Sequence, residues 1–257
     1  MTDWAPGPAL AAYHAGVTVI CELAAQFTGE AWGSATACPE WRAADLAGHL
    51  RCVADDCHEY LDEAPVSRLA RLMARGSGPE SLARKMARQN AAELAALPDA
   101  AGPEHIAAFA ASARAYAARV LAVWDLPHHR YGDAVVTVGG MVGAACAEWH
   151  LHAWDLAAAQ GKDYQPAGPD LLAAGWQAGL PHRPLDAVVP VDAAVPVDAV
   201  VPVDAVVPLY AAAPVDAVVP VAPGGAAVAV AGGVGGPRRG PASAWDALLR
   251  ASGRIPR

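Results

Sequence analysis

Apolar residues recur at intervals of three and four through the first two-thirds of the chain, which is the spacing of one helix face. The first such face runs from Leu10 to Phe27, and glycine and proline in 29–39 end it. A second helix is predicted from about Trp41 to Leu61, and a third ends before Pro98. Further helices are predicted from about Pro103 to Trp124, Val138 to Gln160, Pro169 to Leu180 and Ser243 to Ala251.

The connections between these helices are short and rich in turn residues. The sequence from Ser77 to Glu80 has the S-x-x-E form of a helix capping box, and residues 125–134 are predicted as a loop. The helices on either side of Pro98 could also form one long arm broken by a kink. Long helices joined by short loops pack as an antiparallel bundle, so a mainly α, four-helix bundle is predicted for residues 1–180.

The character of the chain changes after residue 180. A six-residue unit close to V-D-A-V-V-P repeats over 185–221, and a glycine-rich stretch follows over 224–240. Proline every six residues forbids a regular helix and disfavours a central strand. The unit loosely fits a parallel β-helix, but about two coils are too few to be stable alone. Residues 181–257 are therefore predicted as a low-complexity extension to the bundle, with an extended repeat segment.

Composition narrows the class of protein further. The formal net charge of -8, without a basic cluster, makes nucleic acid an unlikely partner. No apolar stretch reaches the length of a membrane span without a break, and the first residues lack the pattern of a signal peptide. Five cysteines at irregular spacing fit reduced thiols rather than a disulfide framework. These features predict a soluble cytoplasmic protein.

The helix around Glu148 carries the strongest chemical signal. Glu148 and His152 lie one turn apart on a stripe whose other members are apolar, so both are predicted to face the core. A buried carboxylate is costly unless it is paired or bound to a cation. His49 occupies a comparable apolar face on the second helix, and two histidines with one glutamate are a common ligand set for zinc. From the residues alone, hydrogen-bonded core side chains remain the alternative.

Two segments carry a resemblance to a known family. Residues 38–50, CPEWRAADLAGHL, resemble the Pro-x-Trp, Asp-Leu and His-Leu signature of the DinB-like superfamily. Residues 148–161, EWHLHAWDLAAAQG, resemble the second signature of one of its branches, the mycothiol-dependent maleylpyruvate isomerase N-terminal family. The resemblance spans about residues 8–165 and implies a four-helix bundle. It also implies a divalent metal, most simply zinc, on His49, Glu148 and His152.

The resemblance also implies a function, with alternatives. The family's chemistry suggests a mycothiol-using isomerase or S-transferase that acts on a small electrophile. The metal would lower the pKa of the thiol, which could then add to the substrate. A metal-binding module without turnover and a metal-dependent hydrolase are the alternatives. The substrate, the catalytic residues and the oligomeric state do not follow from the sequence.

The chain departs from the family pattern at two places. Arg42 stands where the family usually has a serine or threonine N-cap, so a less well capped second helix is expected. The family often carries a compact α/β domain in the C-terminal part, where this chain has its repeat.

Residues near the predicted ligands each have a functional and a plain interpretation. Asp155 could accept a hydrogen bond from a ligand histidine and fix its tautomer, or could pair on the surface. Trp41 and Trp154 are predicted to be packing residues, and His150 to point away from His152. Two pairs are predicted to be solvated rather than functional: His128 with His129, and Arg84 with Arg88.

Overall fold

The computed structural model describes residues 4–38, 41–63, 82–131, 134–181, 185 and 243–254. Within them the chain is mainly helical, which confirms the predicted fold class at that level. The α-helices are α1 (Pro6–Ala24), α2 (Ala43–Glu63), α3 (Leu82–Ala96), α4 (Gly102–Val120), α5 (Val138–Ala158), α6 (Pro169–Gly179) and α7 (Ala244–Ala251). Short 3-10 helices cover Gly29–Gly33 and Leu121–Val123.

Four helices, α1, α2, α4 and α5, share one apolar core. α1 packs mainly along α5, and α2 mainly along α4. The predicted apolar face of α1 is the buried one, because Tyr13, Val17 and Ile20 are fully inaccessible to solvent. The Tyr13 hydroxyl donates a hydrogen bond to the Ala113 carbonyl of α4 at 3.2 Å. The core therefore joins the two helix pairs into one body.

α5 is buried on nearly every side because most of its side chains are small. Of its 21 residues, 17 are buried, and α6 crosses it very closely. A Cβ atom on Gly143 would lie only 2.3 Å from the carbonyl oxygen of Gly175 in α6. Glycine at this crossing therefore allows the two backbones to touch.

The loop predicted for residues 125–134 is wrong. The chain forms an antiparallel hairpin of β1 (Pro127–Tyr131) and β2 (Ala134–Thr137), with a register irregularity between Pro127 and His129. The β-branched side chains of β2 favour a strand, but a four-residue strand is too short to give a clear alternating pattern. Thr137 then caps α5, since its Oγ1 accepts a hydrogen bond from the Gly140 amide at 3.1 Å.

The helix ends follow the predicted stop signals. Gly161, which directly follows the predicted end of α5 at Gln160, has a φ of 66°, a conformation that glycine adopts without strain. α3 ends before Pro98 and α4 begins at Gly102, so the two are separate helices rather than one kinked arm. The predicted capping box at residues 77–80 lies outside the described residues.

α7 returns to the main core after the repeat region. Trp245 and Leu248, predicted to pack a terminal helical turn, are 3% and 0% exposed and belong to the core of the other helices. Ser243 and Asp246 form a reciprocal capping box at the start of this helix. The repeat and the glycine-rich stretch lie outside the described residues, so their predicted conformation and the domain boundary at 180/181 stay predictions.

One helical stretch within the described residues, Gly102–Val123, is long and apolar enough to cross a membrane by length and composition. Its apolar face, which includes Phe109, Ala113 and Val120, is buried against the neighbouring helices. The core helix of a soluble protein passes the same test of length and composition. The predicted cytoplasmic location stays a prediction.

Candidate metal centre

The two signature segments meet where the start of α2 faces the second half of α5. A tight turn precedes α2, in which the Thr36 amide donates to the Trp41 carbonyl at 3.0 Å. The Arg42 amide donates to Asp45 Oδ2 at 2.9 Å, so one half of a capping arrangement opens the helix despite the missing serine or threonine. After this turn the Trp41 ring packs against the His49 ring at an interplanar angle of 56°, with 4.6 Å between centroids.

His49 and Glu148, two of the predicted ligands, each lie near the third, His152. His49 and His152 are 7% and 4% exposed, and their rings meet edge to face at 5.2 Å between centroids. His152 Nε2 lies 3.4 Å from Glu148 Oε2. The Glu148 side chain is 34% exposed, so it is less buried than its position on the stripe predicted. It therefore lies at the solvent-facing edge of the cluster.

Two ring nitrogens in this cluster lack the partner that burial normally requires. His49 Nδ1 and His152 Nε2 are both inaccessible to solvent and have no hydrogen-bond partner. Buried polar atoms are nearly always hydrogen-bonded, so an unpaired one needs an explanation such as a bound ion or water. Imidazole nitrogens beside a carboxylate are ligands that zinc prefers. The donor set thus fits a divalent cation.

Asp155 makes the contact that the first of its two interpretations predicts, a hydrogen bond with His152, and does not pair on the surface. Its Oδ2 lies 2.9 Å from His152 Nδ1, on the opposite side of the ring from Glu148. The carboxylate is fully buried and also accepts hydrogen bonds from Arg254 and from the Cys38 thiol, the latter at 3.1 Å. The role of this hydrogen bond in metal binding stays a prediction.

Burial and charge set the protonation states around the ring. Burial lowers the pKa of His49 well below its usual range, with a smaller effect from His152. Burial alone would raise the pKa of Asp155, but the hydrogen bond and charge of His152, together with Arg254, hold it well below the usual range. Burial and the Asp155 carboxylate raise the pKa of Cys38 to about 12. At neutral pH the site therefore contains a neutral His49, an ionised Asp155 and a protonated Cys38.

Among the described residues, the ligand atoms that lie within 4.8 Å of one another form a different group, which shares only His152 with the predicted set. One ligand atom each from Cys38, His152 and Asp155 lies within 4.8 Å of the other two. Asp155 in this group is already paired with the guanidinium of Arg254, and the Cys38 thiol is protonated. A cation there would have to displace a proton and lie beside a positive charge, which disfavours this group.

Sequence reasoning missed Cys38 and Arg254 as neighbours of the site. Cys38 is one of five cysteines at irregular spacing; all five are free, and Cys38 is the one that contacts Asp155. Its place directly before the Pro-x-Trp signature was the available signal. Arg254 lies 99 residues after Asp155 in the sequence, and no motif connects the two.

The predictions for the two tryptophans and for His150 around the cluster are confirmed, and the prediction for His128 is wrong. Trp41 and Trp154 pack against the core as expected. His150 points away from the cluster and bonds the Tyr164 hydroxyl and the Ala12 carbonyl. The prediction of solvated histidines is wrong for His128, which is 3% exposed because the hairpin buries it.

The hairpin is also not near the metal cluster. β2 ends where α5 begins, about ten residues or roughly 15 Å of helix before Glu148. Of the two arginines predicted on α3, Arg88 is exposed, and the side chain of Arg84 lies outside the described residues.

Comparison with known proteins agrees with the class that the fold and site define. The family model described as the mycothiol maleylpyruvate isomerase N-terminal domain matches residues 13–157, which is more than half of the chain. The protein belongs to this family, as the two signature segments predicted. Comparisons with curated proteins and with solved structures give no significant match.

Proposed function

We propose that this protein is a metal-dependent enzyme that uses a small thiol, with mycothiol as the thiol indicated by its family. In this proposal α1, α2, α4 and α5 form a DinB-like four-helix bundle, and His49, Glu148 and His152 hold one zinc ion. The observation that carries the proposal is the pair of buried, unpartnered nitrogens, His49 Nδ1 and His152 Nε2, beside a carboxylate.

The two sides of the His152 ring support this ligand set over the one with Cys38. A metal-binding histidine generally uses one nitrogen for the metal and donates the other N–H to a carboxylate. Nδ1 of His152 faces the Asp155 carboxylate at 2.9 Å, which leaves Nε2 for the cation. Nε2 lies 3.4 Å from Glu148 Oε2, so a cation bound to the Nε2 lone pair would also be close to the Glu148 carboxylate.

The residues around the proposed site leave one side of it accessible to a small molecule from solvent. Glu148 is partly exposed and lies at the edge of the cluster, so this edge offers a route for ligands from solvent. Trp41 covers the His49 ring on another side and limits the access of water there. A zinc ion at this position would lower the pKa of a bound thiol and polarise a substrate carbonyl.

The family description points to isomerisation as the reaction class. Addition of the thiolate sulfur to a carbon of an activated double bond leaves a single bond that can rotate. Elimination of the same thiolate restores the double bond with the other geometry, and the thiol is regenerated. If elimination does not occur, protonation of the adduct yields an S-conjugate, which is the transferase outcome.

The first test is metal content, measured by mass spectrometry on the full-length protein. We expect about one zinc per chain in the wild type and little in His49→Ala and His152→Ala. His14→Ala, which changes an exposed histidine of α1, is the matched control and should retain the metal. A wild type that holds no metal and takes up no added zinc would refute the proposal.

A second test separates the thiol-using enzyme from the alternatives. Cobalt-substituted protein should change its visible absorption when mycothiol is added, because a thiolate ligand alters the metal spectrum. A non-catalytic module or a hydrolase should give no such change. Loss of the spectral response in His152→Ala, but not in His14→Ala, would assign the response to the proposed site.

A further inference from the structure

The C-terminal segment places a buried arginine against the candidate metal centre. Arg254 Nε lies 3.0 Å from both oxygens of Asp155, and its Nη2 lies 2.7 Å from Oδ2. The Arg254 side chain is only 10% exposed and that of Asp155 is not exposed at all. This is a desolvated, charge-assisted pair, which fixes the orientation of the carboxylate more firmly than a surface ion pair would.

The local sequence explains how a residue so near the end of the chain reaches this position. Trp245, Leu248 and Leu249 anchor α7 in the core. Gly253 has a φ of 79°, and its amide donates to the Arg250 carbonyl at 3.0 Å. The Arg254 amide donates to the Leu249 carbonyl at 2.8 Å. These two bonds and the left-handed glycine form a Schellman motif, which turns the chain sharply after the helix.

The pair acts on the ring of His152. Asp155 Oδ2 receives the shortest Arg254 bond and also lies 2.9 Å from His152 Nδ1. Two tautomers compete at this ring. With the proton on Nδ1, the ring donates to Asp155 and leaves Nε2 as a lone pair. With the proton on Nε2, the ring could donate toward Glu148 Oε2 at 3.4 Å and accept at Nδ1 from Arg254 Nη2 at 3.1 Å.

Charge favours the first tautomer. An ionised carboxylate beside a bare Nδ1 would place two sets of lone pairs against each other. A proton on Nδ1 removes that repulsion and makes a short, charge-assisted bond. Arg254 donates to both oxygens of Asp155 and so fixes the carboxylate where Oδ2 meets Nδ1. Without the guanidinium, Asp155 would lose three hydrogen-bond contacts and the orientation that they fix.

We propose that Arg254 is a positioning residue of the metal centre: through Asp155 it holds His152 in the tautomer with the proton on Nδ1 and Nε2 free for a cation. The inference rests on the proposed function for its consequence, which is tighter metal binding. Its structural part, the tautomer of His152, does not require a metal.

The tautomer is tested by NMR of the full-length protein with ¹⁵N-labelled histidine, after removal of metal and at neutral pH. The ¹⁵N shifts show which ring nitrogen carries the proton, and His152→Gln identifies the signal. We expect the Nδ1–H form in the wild type and a change to the Nε2–H form or a mixture in Arg254→Gln. Arg250→Gln, on the same segment but without a bond to Asp155, should match the wild type. An unchanged His152 signal in Arg254→Gln would overturn the inference, whether or not the protein binds metal.

The consequence is tested by competition for zinc with a chelator. We expect Arg254→Gln to weaken zinc binding by roughly tenfold to a hundredfold, the usual effect of losing a partner of a ligand histidine. Asp155→Asn should weaken it similarly, and the double variant should lose little more, because Arg254 acts through Asp155. Additive losses would contradict that route.

The same experiments keep the two proposals apart. If the wild type binds no zinc, the proposed function fails and the NMR result still decides the role of Arg254. If the wild type and Arg254→Gln bind zinc equally, the metal site stands and the inference fails. Should Arg254→Gln not fold, Arg254→Lys keeps the charge but loses the planar fork. It is then expected to give a mixed His152 tautomer, and a wild-type signal in Arg254→Lys would overturn the need for the guanidinium geometry.

Discussion

Replacing Gly143 by alanine tests whether the close crossing of α5 and α6 holds the fold together. The added Cβ would lie 2.3 Å from the Gly175 carbonyl oxygen and 2.8 Å from its carbonyl carbon and Cα. All three are backbone atoms, so no side chain can rotate out of the way. α6 would have to move away by about 1 Å to reach an ordinary contact distance.

The interface offers little room for that movement. About one turn away, Gly179 of α6 already faces the Gly140 carbonyl so closely that a Cβ on it would lie 2.3 Å from that oxygen. Over-packing a tight core costs roughly 1–3 kcal/mol, while glycine to alanine inside a helix gains up to about 1 kcal/mol. We therefore expect Gly143→Ala to lower the free energy of unfolding by about 1–2 kcal/mol.

Urea unfolding followed by circular dichroism measures this difference, with the m-value checked for a change in cooperativity. Gly7→Ala is the matched control, because the same substitution in the exposed first turn of α1 meets no atom within 4 Å. That control should be neutral or slightly stabilising. A Gly143→Ala protein as stable as the wild type, or more stable, would refute the claim that the two backbones need a glycine at this crossing.

Three other changes should be measurable in the same assay. Asp155→Ala leaves the Arg254 guanidinium buried without its carboxylate and should lower the free energy of unfolding by roughly 3–5 kcal/mol. The double variant Asp155→Ala/Arg254→Met should recover much of this loss. A double variant as unstable as Asp155→Ala would argue against a stabilising ion pair. Burial lowers the pKa of His150 to about 4, so the unfolded chain, with a histidine pKa near 6.5, binds this proton more readily than the folded one. The contribution of His150 to the free energy of unfolding should therefore be fully present above about pH 6.5 and decrease as the pH falls toward 4. In His150→Gln the free energy of unfolding should fall less steeply over this range. An unchanged pH dependence would exclude His150 as a source. Thr137→Ala removes the cap of α5 and should cost about 1 kcal/mol, whereas Thr137→Ser should not; equal stability of both variants would show that the Oγ1 bond to Gly140 contributes nothing.

Helices such as α1 could be predicted from the sequence because their burial is periodic. α5 was expected from Val138 to Gln160 and runs over Val138–Ala158, since its cap and its glycine stop are local signals. The proximity of His49 to the second signature followed from the family resemblance. Periodicity alone could place each residue on an inward face, but could not bring two particular helices together.

The features that sequence reasoning missed depend on contacts between distant residues. The hairpin was missed because two strands of five and four residues carry too few positions for an alternating pattern. Cys38 and Arg254 lie 117 and 99 residues from Asp155, and one sequence without relatives holds no signal for such pairs. The partial exposure of Glu148 depends on where neighbouring elements end, which periodicity does not describe.

The almost complete burial of α5 has a consequence for the order in which parts of the protein lose their structure. Amide hydrogens in such a helix exchange with solvent only when the whole molecule opens, whereas the rim of a fold exchanges through local openings. Glu148 and His152 therefore lie on what should be the slowest-exchanging segment of the chain. An ion that binds to Glu148 and His152 would find both side chains on a helix that is already folded, so its binding would not be coupled to folding of α5. Its stabilising effect should follow simple mass action, rising with the logarithm of the free ion concentration, and should slow the exchange of all α5 amides by the same factor.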